Sequence, residues 1–161
     1  MDVVGELTAT DNCDNDVDIT FAEISTQTND GSCTDNSYTI TRIWTATDNC
    51  GNVETQQQVI TVEDTTDPVL GDLPADETVE CDAVPAPATL TATDNCDNDV
   101  AISFSETSTK TNNGSCTDDT YVITRTWTAT DNCGNTDTYS QTINVQDTTN
   151  PVLANIPADI T

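Results

Sequence analysis

Seven cysteines and three Asp/Asn-rich clusters are the residues here whose types and spacing could do chemistry. Cys13, Cys33, Cys50, Cys81, Cys96, Cys116 and Cys133 could pair as disulfides, bind a metal as thiolates or exchange thiols. No two stand as C-x-x-C, and the chain has no His, so zinc and dithiol redox chemistry are disfavoured. The absence of His also removes any Ser-His-Asp arrangement. Carboxylates are abundant, but none lies in an apolar segment that would raise its pKa for acid catalysis, so no enzyme is expected.

The acidic clusters read Glu63-Asp64-Thr65-Thr66-Asp67, Asp94-Asn95-Cys96-Asp97-Asn98-Asp99 and Asp131-Asn132-Cys133-Gly134-Asn135. Carboxylates held within one Debye length repel strongly unless a cation sits among them. Ca²⁺ takes about six to eight oxygen ligands, which suits this composition. An EF-hand is not the form: Asp14-Asn15-Asp16-Val17-Asp18 begins like one, but the required Gly is missing. Asp and Asn are also ordinary turn residues, so solvated turns are the competing reading.

The elements that position these groups come as a repeat. Leu7-Thr8-Ala9-Thr10-Asp11-Asn12-Cys13 recurs as Leu90-Thr91-Ala92-Thr93-Asp94-Asn95-Cys96, an offset of 83 that also relates Cys33 to Cys116, Trp44 to Trp127 and Pro68 to Pro151. Of 78 overlapping positions 50 are identical, so the chain is a slice of a tandem array. Residues 1–66 are expected to form a first repeat lacking its opening strand, because Met1 aligns with Val84. Residues 67–149 form a complete second repeat, and 150–161 begin a third.

Each unit reads as all β. Tyr38, Ile40, Arg42, Trp44 and Ala46 alternate with Thr39, Thr41, Ile43, Thr45 and Thr47, a period-two strand. Further strands are expected over 17–25, 58–62 and 7–10, with counterparts over 100–109, 138–145 and 90–93, and another over 78–81. Asn-, Asp- and Gly-rich turns separate them. The fold class is therefore all-β: tandem immunoglobulin-like β-sandwich repeats, stapled by disulfides. The staples compensate for a small aromatic core.

If successive strands reverse direction, the turns after 93 and 130 share one pole with the linker at 63–68, and the segments near Cys81 and Cys116 share the other. A ten-residue strand spans about 33 Å, whereas bridged Cα atoms lie about 4.4–6.8 Å apart, so Cys116 and Cys133 should not pair across 121–130. The expected bridges are Cys13–Cys50, Cys81–Cys116 and Cys96–Cys133, leaving Cys33 free. Such bridges place the protein outside a reducing cytosol. The same pole argument gathers Glu63, Asp64, Asp67, Asp94, Asp97, Asp99 and Asp131 into a calcium site that stiffens the junction between repeats. Arg42 and Arg125 share a strand face with Trp44 and Trp127, so each needs a carboxylate. The buried pairs Glu23–Arg42 and Glu106–Arg125 are expected, with a guanidinium in water at a sheet edge as the alternative.

Charge sets the partner classes. With 29 Asp and Glu against 3 Lys and Arg, the net charge of −26 excludes a basic nucleic-acid footprint. No run of about 18 apolar residues exists to span a membrane. High charge with 34% apolar residues is also the composition of disordered chains, and the strict alternation argues against that.

Thr-Ala-Thr-Asp-Asn-Cys-Gly-Asn at 45–52 and 128–135, followed by a strand and Asp64-Thr65-Thr66-Asp67-Pro68-Val69, resembles the hyalin-repeat (HYR-like) family. The resemblance implies an immunoglobulin-like sandwich, no catalytic residues, and an exported, cell-surface location. The Cys- and Asp-rich version is similar to repeats of giant surface adhesins in gliding Bacteroidetes. It implies a stalk whose partners are neighbouring repeats of its own chain, and surface polysaccharide if the module itself adheres.

Overall fold

The computed structural model of the chain describes residues 7–154. It divides into two compact units, Met1–Thr66 and Asp67–Thr161. Unit 1 contains β1 (Asp18–Ser25), β2 (Tyr38–Thr47) and β3 (Val53–Val62), joined as one antiparallel sheet in the order β1-β2-β3. Phe21 stands opposite Trp44, and Glu23 opposite Arg42.

Unit 2 contains β4 (Val69–Gly71), β5 (Glu77–Glu80), β6 (Thr91–Thr93), β7 (Ala101–Ser108), β8 (Tyr121–Thr130) and β9 (Thr136–Gln146). A four-stranded sheet runs β5-β9-β8-β7, and β4 pairs with β6 in a second, two-stranded sheet. The two sheets form a sandwich: Leu70 and Leu90 pack with Trp127 and Ala129 of β8, and Tyr139 and Val100 close the cluster. A second cluster joins Ile123, Ile143 and Val145 with Val79, Val84 and Tyr121. Alternation decides which residues go inside. Ile123, Arg125, Trp127 and Ala129 are buried along β8, with their neighbours half-buried between them.

Sequence periodicity places β1, β2, β7 and β8 within a residue or two. It misses three features. β3, expected over 58–62, begins five residues earlier at Val53. β4 has three residues, too few to show alternation. β5 pairs parallel with β9, Glu77 to Ile143 through Glu80 to Gln146, and hydrophobic period carries no information about strand direction.

One expected strand is corrected. Thr91–Thr93 forms β6, but its counterpart Thr8–Thr10 forms no strand. The reason is partnership: β6 is paired by β4, Val69 to Thr93 and Gly71 to Thr91, and no described residue of unit 1 supplies a β4. The same gap shows in β2, where all ten positions are only half-buried. Of the third repeat expected over 150–161, positions 155–161 lie outside the described residues. Pro151–Ala154 is exposed and forms no strand.

Candidate functional site

The acidic turns are built the same way twice. In unit 2, Asp94 Oδ1 accepts the Cys96 and Asp97 N–H groups at 2.8 and 2.9 Å. Asp97 Oδ1 accepts from Asp99 N at 2.9 Å, and its Oδ2 accepts from Asn132 N at 2.9 Å, tying the turn after β6 to the turn after β8. Asp131 Oδ1 accepts from Cys133 N and Asn135 N, and its Oδ2 from Asn135 Nδ2 at 2.7 Å. In unit 1, Asp11, Asp14 and Asp48 repeat these bonds on Cys13, Asp14, Asp16, Asn49, Cys50 and Asn52. Much of the charge that looked like a cation site is thus spent on backbone N–H groups that the turns would otherwise leave unpaired.

The opposite pole has its own duplicated device. A one-turn 3₁₀ helix, Cys33–Asp35 or Cys116–Asp118, turns an Asp back into the loop. Asp35 accepts from Asp30 N and Gly31 N, and from the Thr28 hydroxyl. Asp118 accepts from Asn113 N, Gly114 N and Thr111 in the same way. Gly31 and Gly114 sit at φ +79° and +74°, where a side chain would be strained.

These bonds hold carboxyls below the ordinary range. The Cys13 and Asp14 N–H groups lower Asp11, the Asn52 side chain lowers Asp48, and the Asp97 N–H lowers Asp94. Thr28 and Thr111 hydroxyls lower Asp35 and Asp118. A depressed folded pKa contributes stability that is present above the unfolded carboxyl value, about 4, and is lost as pH falls through the folded values. Circular dichroism against pH should therefore show a flat plateau above about pH 5 and unfolding below about pH 4.

The seven expected calcium ligands are only partly gathered. Asp94, Asp97 and Asp131 join one loop cluster in unit 2, and Asp99 is tied to it through its backbone. Asp97 and Asp131 are buried and accept N–H groups on both oxygens. Asp94 Oδ2 is buried with no hydrogen-bond partner among the described residues, the one oxygen of the three that suits a cation. Asp67 and Asp99 are exposed. Glu63 and Asp64 belong to unit 1, where Asp64 Oδ1 accepts from Thr66 N and its own N–H donates to Ser37 Oγ.

The cysteine expectations are corrected. Cys33 and Cys133 are both disulfide-bonded, so Cys33 is not free and Cys133 does not bridge Cys96. Cys96 keeps its thiol and accepts from Asn95 Nδ2 at 3.1 Å. Cys13, Cys50, Cys81 and Cys116 carry free thiols, so Cys13–Cys50 and Cys81–Cys116 are not closed. The pole argument located segments and could not fix which sulfurs join. Asp14, next to Cys13, bonds the N–H of Asn49, next to Cys50. Desolvation, then the charges of Asp147, Asp119 and Asp82, raise the Cys81 thiol.

Arg42 Nε lies 2.8 Å from Glu23 Oε2, and Arg125 Nε 2.8 Å from Glu106 Oε2. Neither pair is buried as a pair. The two glutamates keep 42% and 39% of their side-chain surface, and only Arg125 is deeply covered, at 4%. Arg125 also donates to Pro85 O at 2.7 Å. The Arg is inward because its strand face is, while its partner sits on β7, a sheet edge open to water.

A comparison with curated proteins returns no match. Residues 70–145, which hold Cys81, Cys96, Cys116 and Cys133, the strands β5 to β8 and all but the last residue of β9, match the family model of the HYR-like domain with 4 cysteines.

Proposed function

We propose that this chain is a structural stalk or spacer of a large exported cell-surface adhesin, of the gliding-adhesin kind represented by SprB. The observation that carries it is the duplication, at an offset of 83, of the same loop braces in both units. A module whose side chains are spent on bracing its own turns is suited to repetition and reach. HYR-like domains are extracellular, adhesion-type modules, and residues 70–145 match one. The net charge of −26 keeps neighbouring filaments apart. A glycan array tests the assignment: the spacer gives no signal, and binding of surface polysaccharide would replace it with an adhesive module.

Calcium is part of this proposal. Asp94 Oδ2, buried without a donor among the described residues, is the oxygen that suits a cation. Extracellular modules bind Ca²⁺ with Kd of about 10⁻⁴–10⁻³ M, so about 10 mM Ca²⁺ should stabilise unit 2 by about 1–3 kcal/mol. Calorimetric melts should shift upward in Ca²⁺ and back in EDTA, and Asp94→Asn should abolish the shift. Identical melts in both would remove calcium from the account.

A further inference from the structure

One edge of the larger sheet in unit 2 is built without the devices that keep strand edges from pairing. Sheet edges are ordinarily short, or guarded by charge, Pro or a bulge. β5 follows that rule: it has four residues, two of them Glu77 and Glu80, with Pro74 before it and Pro85 after it. β7, at the opposite edge, has eight residues, Ala-Ile-Ser-Phe-Ser-Glu-Thr-Ser, and no Pro, Gly or Lys. It pairs with β8 in unbroken register from Ala101–Thr130 to Ser108–Ile123, and all eight positions are exposed.

The backbone of β7 alternates between β8 and solvent. Thr109 N donates to Val122 O, the next pair in the same register. Antiparallel pairs alternate, so Ser103, Ser105 and Thr107 also turn their N–H and C=O toward β8, while Ile102, Phe104 and Glu106 turn theirs to water. The side chains of those last three stand on the core face of the sheet, opposite Ala129, Trp127 and Arg125. The second sheet has only two strands, β4 and β6. It covers Trp127 and Ala129 and leaves Phe104 47% exposed. β7 therefore offers an apolar shelf beside a row of unpaired backbone groups. Unit 1 repeats the arrangement: β1 is an eight-residue edge strand, exposed throughout, with Phe21 at 52%.

Charge selects the occupant. The chain has 29 carboxylates and three cations, Arg42, Lys110 and Arg125, and all three serve these edges. Arg125 bonds Glu106, the one carboxylate of β7, and Arg42 bonds Glu23 of β1. Lys110 lies just past the end of β7, its Nζ 5.0 Å from the Tyr121 ring centroid. A second copy, itself at −26, meets repulsion over most of the surface and the least of it at β7.

We propose that β7 of one copy of this chain pairs antiparallel with β7 of a second copy, joining the two sheets edge to edge. With Phe104 at the two-fold axis, Phe104 faces its own counterpart and Ile102 faces the methylenes of the other copy's Glu106. About six N–H···O bonds form, two from each of the pairs Ile102–Glu106, Phe104–Phe104 and Glu106–Ile102. The antiparallel sense also carries Lys110 of each copy to the Asp99 end of the other, a charge match that parallel pairing lacks. The contact is isologous. A single strand edge is at the small end of specific interfaces, so the pairing of single chains is weak. On the stalk reading above, an array repeats the seam and linked seams reinforce one another; the pairing itself does not rest on that reading.

Amide exchange by NMR on the full chain, kept reduced to exclude intermolecular disulfides, reads the seam directly. The N–H groups of Ile102, Phe104 and Glu106 should gain protection as concentration and salt rise, and the mean mass in sedimentation should rise with them. In this register Ser103 of one copy stands opposite Ser105 of the other, on the outer face, where both are exposed. Ser103→Asp with Ser105→Asp in one chain should raise the concentration of half-pairing by about tenfold or more. An equimolar mixture of that chain with one carrying Ser103→Lys and Ser105→Lys should pair more tightly than either variant alone. Free exchange of Ile102, Phe104 and Glu106 at the highest concentration and salt overturns the proposal. So does an Asp variant that pairs as readily as the parent, or a mixture that pairs no more tightly than its parts.

Discussion

Trp127→Ala should destabilise unit 2 by about 3–5 kcal/mol, while Trp44→Ala in unit 1 should cost less than half of that. The two residues have the same strand position and face the same kind of Phe, with ring centroids 5.2 Å apart for Phe104–Trp127 and 5.5 Å for Phe21–Trp44. They differ in what covers them. Trp127 is 2% exposed, enclosed by Leu70 and Leu90, so its removal leaves a cavity that the sandwich cannot collapse into. Trp44 borders a groove that is open among the described residues, so its removal forfeits less buried contact. Hydrogen exchange of β8 and β9 against β2 and β3 reads the two units separately. Equal losses would show that unit 1 is closed in solution.

The second large effect is expected at a carboxylate. Asp131→Ala removes the acceptor for Cys133 N, Asn135 N and Asn135 Nδ2 at a site only 6% exposed. Buried N–H groups left unpaired cost about 1–3 kcal/mol each where water cannot reach them. Partial hydration of the turn brings the expected loss to about 2–4 kcal/mol, measured by urea denaturation. Asp48→Ala removes the same three acceptances in unit 1. Its loss should be smaller, because the open groove lets water reach the turn, and Asp48 and Asn52 line that groove. A cost that vanishes in EDTA would instead mark Asp131 as acting through a bound cation.

The long strands and the inward Arg were legible in the sequence because they follow from a period of two. Arg125 shares its parity with Trp127, and parity alone puts it on the core face of β8. The Glu106 end was not legible as exposed, since period does not say which strand lies at a sheet edge. The acidic turns were found but misread in part. Asp97 and Asp131 look from composition like ligands awaiting a cation, and the fold spends both their oxygens on N–H groups. Recognising this needs the turn geometry, which composition does not hold. The sulfur pairing failed for a related reason: topology brings segments to one pole, but bond formation depends on distances of a few ångströms. That Thr8–Thr10 forms no strand was not legible, since it depends on β4 being the partner of β6 among the described residues.

The central claim is that the repeat, as completed in unit 2, is a self-braced mechanical module. Single-molecule pulling on the reduced chain tests it most directly. From Val69 to Gln146 the strands enclose one cooperative block, so unit 2 should unfold in a single force event releasing on the order of 250 Å of chain. Unit 1, whose described residues form only the sheet β1-β2-β3, should yield earlier and at lower force. A chain that extends smoothly without a cooperative event, or whose unit 1 resists as long as unit 2, would contradict the account.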